Sequence, residues 1–301
     1  MELEGKTAFI TGGAGGIGLA MAQAFLSEGM DVAIADVDPD ALADAVAQLS
    51  GTNGKVKSYQ LDVTNRDQFS EVADQVEADF ETVHVVCNNA GVYRGGVIDS
   101  VTYEDWDWVM GVNVGGVING VQTWIKRIQE HGQGGHIVNT ASMAGMVTSP
   151  GLGVYNTSKF AVVGMTEAMR DDLAESNIGV SVLCPGMVRT RILESERTRP
   201  DVFEPSDNEA VSAAQAHSEV MNMAMNAGIP AEEVAQLVVA GIKDNLLYLF
   251  PHPELKPSTQ ARVDAILEAF GEPDPERVKA QEEFLAALLK DQVAGEEDGR
   301  A

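Results

Sequence analysis

Tyr155 and Lys159 stand four positions apart in YNTSK, and Ser142 lies thirteen residues upstream. At helical spacing the first two share a face, one turn apart. A phenol has an ordinary pKa of about 10 and is a poor base near neutrality. A lysine ammonium alongside favours the phenolate electrostatically. With a hydroxyl donor nearby, the pair can take or return the proton that accompanies hydride transfer at an alcohol or ketone carbon. Tyr and Lys meet at this spacing on many solvated helices, so its weight depends on the elements that position it.

The first of those elements is the stretch KTAFITGGAGGIGLAMAQAFLSEGMDVAIAD. Thr7 to Ile10 reads as a short buried strand, followed at once by a glycine-rich turn. Apolar positions recur at helical spacing from Ile17 to Glu28, and a second strand, Val32 to Ala35, ends at Asp36. Gly12, Gly16 and Gly18 have separable roles: one permits the tight turn, and the others let backbone and helix approach a pyrophosphate closely. Phosphate would sit at the helix N-terminus, where unpaired N–H groups and the dipole favour anions. A glycine-rich turn without a ligand is the alternative. The ordered strand, helix, strand and terminal acid favour a dinucleotide. A carboxylate at Asp36 can accept hydrogen bonds from the adenosine ribose hydroxyls and repels a 2′-phosphate. Its neighbours Val37, Asp38 and Pro39 carry no cation. The expected cofactor is NAD, and Asp38 is the better candidate for capping the next helix.

Strands and helices continue to alternate. Helices are expected at Pro39 to Leu49, Arg66 to Phe80, Glu104 to Glu130 and from Tyr155 to about Glu175. Strands are expected at Val56 to Gln60, Val83 to Cys87, His136 to Thr140 and Gly179 to Leu183. This order predicts an α/β fold, a doubly wound, mostly parallel Rossmann sheet. Ligands of such sheets bind beyond the carboxyl ends of the strands. Asp62, Asn89, Ser142 and Pro185 each follow a predicted strand and so converge on that edge. The expected organisation is one catalytic domain over 1–250, then a helical extension with an acidic tail at 251–301. The stretch 191–228 is poor in strand pattern.

TGGAGGIG (11–18), NNAG (88–91), Asn113, Ser142, YNTSK (155–159) and PGMVRT (185–190) together resemble the short-chain dehydrogenase/reductase superfamily. The resemblance runs to about residue 250, with no departure at the catalytic positions. It implies Tyr155 as general acid/base, with Lys159 lowering the phenol pKa and holding the nicotinamide ribose. Ser142 would donate to the substrate oxygen. Asn113 would keep a water in the proton path beyond Lys159, the alternative being a helix-interior Asn bonded locally. The same resemblance carries Gly12, Gly16, Ile17, Gly18, Asp36 and Val37 to the cofactor. Asp62 and Val63 would flank adenine, and Asn89, Ala90 and Gly91 would back the adenosine ribose. Pro185, Gly186, Val188 and Thr190 would close over the nicotinamide. The resemblance also implies a substrate lid at 191–228. TYEDWDWVMGVNVGGVINGVQTW (102–124) and AGIPAEEVAQLVVAGIKDNLLYLFPHPELK (227–256) are similar to bacterial NAD-dependent Cα-dehydrogenases. Those enzymes oxidise the benzylic alcohol of lignin-type β-aryl ethers.

For the substrate pocket, Tyr93, Met143 and Met146 are placed to line one wall, and Met221, Met223 and Met225 offer an adaptable apolar surface. Ordinary helix packing is the alternative for each Met. Arg94 and the 189–199 cluster apart, no cation is placed to anchor a carboxylate or phosphate. An uncharged hydrophobic secondary alcohol or ketone is expected, with a hydroxysteroid as the alternative to a benzylic compound. A non-catalytic NAD sensor is disfavoured because Tyr155 and Lys159 are both intact.

The 46 acidic against 20 basic residues argue against nucleic acid or an anionic membrane as partner. Solubility explains the excess, with adaptation to high salt as the alternative. Cys87 and Cys184 end predicted strands and read as free thiols in a reducing cytoplasm. The chain enters its first strand at once, leaving no room for a signal peptide. The five histidines show no metal-ligand spacing, so no metal is expected. The tail PDPERVKAQEEFLAALLKDQ reads as an amphipathic helix bearing Val278, Phe284, Leu285, Leu288 and Leu289. That face would pack in cis, on the lid or on a second subunit. A homodimer or homotetramer through the helices at 104–130 and 151–175 is what the resemblance implies.

Overall fold

The inner strands of the sheet are apolar runs buried on both faces, as in FIT and VAIA, whereas the edge strand VKSYQ is mostly exposed. The computed structural model describes residues 1–203, 225 and 227–298, with side chains to residue 286. Its strands are β1 (Thr7–Thr11), β2 (Asp31–Asp36), β3 (Val56–Gln60), β4 (Val85–Asn88), β5 (Gly135–Thr140), β6 (Ile178–Leu183) and β7 (Tyr248–Leu249). All pair in parallel in the order β3-β2-β1-β4-β5-β6-β7. The winding reverses between β1 and β4, which opens the crevice where ligands of doubly wound sheets bind.

Helices cover both faces. On one side α1 (Gly16–Ser27), α2 (Pro39–Leu49) and α7 (Ala231–Lys243) bury Met21, Phe25, Leu42 and Val238 in one core with Ile10, Ile34, Val138 and Leu183 of the sheet. On the other, α3 (Arg66–Phe80), α5 (Gly116–His131) and α6 (Gly153–Asp172) bury Phe69, Trp124 and Val162. Asp38 caps α2, its carboxylate accepting from the Ala41 N–H at 3.0 Å, in keeping with the preference of short polar side chains for this position.

The helix expected over Glu104 to Glu130 is interrupted. Helix α4 (Tyr103–Met110) passes through a π-turn at Gly111–Gly115 before α5 begins. One extra residue per turn leaves the apolar period on either side intact and is invisible to a pattern search. It also turns Asn113 inward. Helix α7 and the two-residue β7 complete the sheet side beyond β6. Neither was anticipated as an element, β7 being too short to show alternation.

Contacts divide the chain into one unit over Met1–Lys256 and a second from Pro257 onward. In the second, α8 (Lys256–Glu268) and α9 (Pro275–Asp298) are helical. Val278, Phe284 and Leu285 are exposed there; Leu288 and Leu289 lie outside the described side chains, and Met221 and Met223 outside the described residues. Among the described residues no helix is long and apolar enough to cross a membrane.

Candidate active site

The glycine turn is locked to the end of β4 by Thr11 and Asn89. The Thr11 hydroxyl accepts from the N–H groups of Asn89 (2.9 Å) and Ala90 (3.1 Å), and the Asn89 amide donates back to the Thr11 carbonyl at 3.1 Å. Gly12 and Gly16 have φ of +63° and +52°, the left-handed region that favours glycine. A Cβ on Gly18 would lie 2.1 Å from the Gly12 carbonyl oxygen, so only glycine lets the helix start so close to the turn. The result is a tight turn that leads straight into the N-terminus of α1, with Ile17 in the first turn of that helix. At its far side the Asp36 carboxylate accepts from the N–H groups of Ala14 and Asp38, each at 3.3 Å. Burial raises its pKa, and these backbone bonds act in the opposite sense. Val37, the next residue, is exposed. Asp62 accepts from the Thr64 N–H and hydroxyl, and Val63 is buried in the core beneath.

Tyr155, Lys159 and Ser142 come together at the carboxyl edge. Tyr155 and Lys159 lie in the first two turns of α6 and are both buried. Lys159 Nζ donates to the Thr140 carbonyl at 3.0 Å and sits 5.5 Å from the Tyr155 ring centroid. Burial pushes the Tyr155 phenol up to about 12, and a hydrogen bond with Ser142 lowers it. Burial holds the Lys159 ammonium down to about 8. Ser142 follows β5; its hydroxyl accepts from the Ala144 N–H at 3.0 Å and donates to the Pro185 carbonyl at 3.3 Å. The serine and the loop after β6 are thereby tied together.

Asn113 is fully buried in the π-turn. Its Oδ1 accepts from the Val92 N–H at 2.8 Å, and its Nδ2 donates to the Val92 carbonyl and to Ser158 Oγ, each at 3.0 Å. Ser158 in turn donates to the Tyr155 carbonyl at 2.8 Å. The Asn113 side chain therefore fastens the segment after β4 to the helix that carries Tyr155. Gly91 fits above this junction, where a Cβ would lie 3.3 Å from Asn113 Oδ1 and 3.5 Å from Lys159 Nζ.

These elements have the order and motifs of one family, and the sequence profile described as short chain dehydrogenase matches residues 6–201. The chain belongs to the short-chain dehydrogenase/reductase family. It is an oxidoreductase by that membership. It is 35% identical over 298 residues to a C alpha-dehydrogenase of Sphingobium sp., covering 97% of this chain and 96% of that protein. A crystal structure of a short chain dehydrogenase/reductase from Burkholderia phymatum in complex with NAD superposes with a TM-score of 0.86 at 36% identity, over 91% of this chain and 99% of that one. The apo form of LigO from Sphingobium sp. gives 0.77 at 36% identity, over 94% and 97% of the two chains.

Tyr93, Tyr155, Leu193 and Met225 form a small buried apolar cluster, with Ala144, Leu152 and Ile192 beside it. The Tyr93 and Tyr155 rings meet edge-on at 5.3 Å. Met143 and Met146 pack instead with the core cluster of α5 and α6, so of the three pocket candidates only Tyr93 lies in the cluster with Tyr155. Behind that cluster Asp105 accepts from Arg94 Nε at 2.8 Å and Arg199 Nη1 at 2.7 Å. The Arg199 guanidinium also lies over the Trp108 ring. Arg197 reaches Asp38 at 2.8 Å, so the fold brings a cation to the acid pair from far along the chain. Thr11 and Ser158 stand inside TGGAGGIG and YNTSK with no role of their own expected, and Ile229 carries no sequence signal of its own. Ile229 accepts from the Arg189 N–H and donates to the Met187 carbonyl, both at 3.0 Å. Among the described residues no group of His, Cys, Asp and Glu could hold a metal ion.

Proposed function

We propose that the protein is an NAD-dependent dehydrogenase that interconverts an uncharged hydrophobic secondary alcohol, benzylic in type, and its ketone. The observation that carries this reading is the setting of Tyr155, with Ser142 and Lys159 on its polar side and Tyr93, Leu193 and Met225 on its apolar side. An aryl group suits an aromatic edge and a methionine. Arg94 and Arg199 are both committed to Asp105, which disfavours a substrate carboxylate or phosphate. The likeness to a C alpha-dehydrogenase over nearly the whole chain supports the benzylic choice.

The glycine turn fits a dinucleotide. Gly12, Gly16, Ile17 and Gly18 would hold the pyrophosphate at the N-terminus of α1, which the absence of a Cβ at Gly18 allows to start directly against the turn. Asp36 and Val37 would meet the adenosine ribose, Asp62 and Val63 the adenine, and Asn89 to Gly91 the ribose's other side. Pro185, Gly186, Val188 and Thr190 would bound the nicotinamide. A nicotinamide bound there would supply hydride chemistry, the oxidised form as acceptor from the alcohol carbon and the reduced form as donor to the ketone.

The remaining steps belong to the chain. Ser142 donates to the substrate oxygen and stabilises negative charge that grows on it. Tyr155, as phenolate, takes the hydroxyl proton as the C–H bond breaks, so that the C–O bond becomes a carbonyl. A phenol held near 12 ionises only with help, and the positive charge of Lys159 supplies it. Asn113 keeps the tyrosine-bearing helix in register through Ser158. The test is NADH formation across benzylic, steroidal and aliphatic secondary alcohols. Benzylic substrates turning over fastest, with NAD preferred to NADP, supports the proposal. Preference for steroidal or aliphatic alcohols, or for NADP, overturns it.

A further inference from the structure

We infer that His252 is a positioning residue that holds the loop after β6 in its cofactor-binding shape; the inference rests on the reading of Pro185–Thr190 as the loop that meets the nicotinamide. His252 lies far from the glycine turn and YNTSK in sequence, in the segment FPHPELK that follows β7. It is buried, with 6% of its surface exposed. Its Nδ1 accepts from the Gly186 N–H at 3.0 Å, and its Nε2 lies 3.1 Å from the Met187 carbonyl oxygen. A backbone N–H can only donate and a carbonyl can only accept, so one ring form satisfies both: neutral imidazole with its proton on Nε2. The ring thus reads two consecutive residues of the loop at once.

The fit is close. A Cβ on Gly186 would lie 3.0 Å from His252 Cγ and 3.0 Å from Leu255 Cδ1, so the glycine lets the loop lie against the ring. On its other flank the loop is held by Ile229, whose N–H shares the Met187 carbonyl at 3.0 Å and whose carbonyl accepts from Arg189. A carbonyl oxygen has two acceptor sites, and Met187 uses both. The loop joins β6 to the turn at Ile192 without regular secondary structure of its own. Its backbone order therefore depends on these few bonds. Losing the two from His252 lowers the fraction of molecules whose loop is ready to bind. The apparent affinity falls by that same fraction. The ring is a scaffold for the loop and takes no proton in the reaction.

The test needs no knowledge of the alcohol. Dissociation constants for NAD and for ADP-ribose, which lacks the nicotinamide, are measured by calorimetry on wild type, His252→Phe, His252→Asn and Thr190→Ala. Two neutral hydrogen bonds are worth roughly tenfold in binding here. His252→Phe should weaken NAD by about 5- to 30-fold and leave ADP-ribose within about twofold. His252→Asn keeps an acceptor at the Nδ1 position and should recover part of the loss. Unchanged ADP-ribose binding shows that a variant is folded, and an equal loss of both ligands overturns the inference as a general packing effect. Unchanged NAD binding in His252→Phe, with NAD weakened in Thr190→Ala, overturns the role of His252 alone. Unchanged NAD binding in Thr190→Ala as well overturns the reading of the loop, and the inference with it.

Discussion

Lys159 Nζ lies 5.5 Å from the centre of the Tyr155 ring and donates its 3.0 Å hydrogen bond to the Thr140 carbonyl. The lysine is anchored to the end of β5, and in the proposed mechanism it acts on the phenol through its field across a short gap. Both groups are buried, and burial works against the charged form of each. A site that must ionise a tyrosine beside an ammonium therefore carries a stability cost.

That cost is measurable at Lys159. Its folded-state pKa of about 8 lies below the ordinary value of 10.5. Between these values the unfolded chain binds more protons than the folded one, so stability rises with pH across that window. Below pH 8 the full penalty is present, on the order of 3 kcal/mol at most. Lys159→Met should therefore raise the melting temperature at pH 6 to 7, and the gain should shrink as pH climbs toward 10. Turnover should be lost at every pH. Melting curves across this range check the sign, and a variant less stable at pH 7 than at pH 9.5 relative to wild type contradicts it.

Asp105 joins three structural tasks. Its carboxylate caps α4 by accepting from the Thr102 N–H at 3.1 Å, and it pairs with Arg94 and Arg199. Burial opposes its charge, yet the bonds from Thr102, Arg199 and Arg94 hold its pKa below the usual carboxylate value. Asp105→Ala leaves two buried guanidiniums with their longer contacts to Glu196, at 3.6 and 3.4 Å, and should cost roughly 3 kcal/mol. Denaturant unfolding measures this directly. A loss below about 1 kcal/mol would mean that the cluster is effectively solvated.

Tyr93 offers the opposite case. Among the described residues its buried hydroxyl has no hydrogen-bond partner, a condition that costs about 1–3 kcal/mol. Tyr93→Phe removes the orphaned group and keeps the edge-on contact with Tyr155. It should stabilise the protein by about 1 kcal/mol, read as a rise of a few degrees in melting temperature. A fall in melting temperature contradicts the account of this wall.

Much of the site could be read before the fold was known, for reasons that differ by residue. The glycine turn, Asp36, Tyr155 and Lys159 lie in local patterns whose spacing carries their geometry. The convergence of Asn89, Ser142 and Pro185 followed from strand ends alone, because a doubly wound sheet presents every such end to one crevice. Asp38 was correctly separated from Asp36 as a helix cap. What stayed hidden depends on tertiary pairing. Nothing in the sequence distinguishes Met225, buried beside Tyr155, from Met143, which packs under α6. Arg197 reaches Asp38 across 159 residues, and His252 reaches Gly186 across 66. The π-turn at Gly111–Gly115 shifts a helix by one residue without altering its composition, so the inward turn of Asn113 had no sequence signal.

The most direct test of the central claim is the turnover of Tyr155→Phe with NAD and a benzylic secondary alcohol, alongside its affinity for NAD. The substitution removes one oxygen and keeps the ring against Tyr93. NAD affinity should stay within about threefold of wild type and NADH formation should fall by at least about 1000-fold, within the range for loss of a general acid/base. NADH formation within about tenfold of wild type would contradict the assignment of Tyr155 as the group that carries the proton.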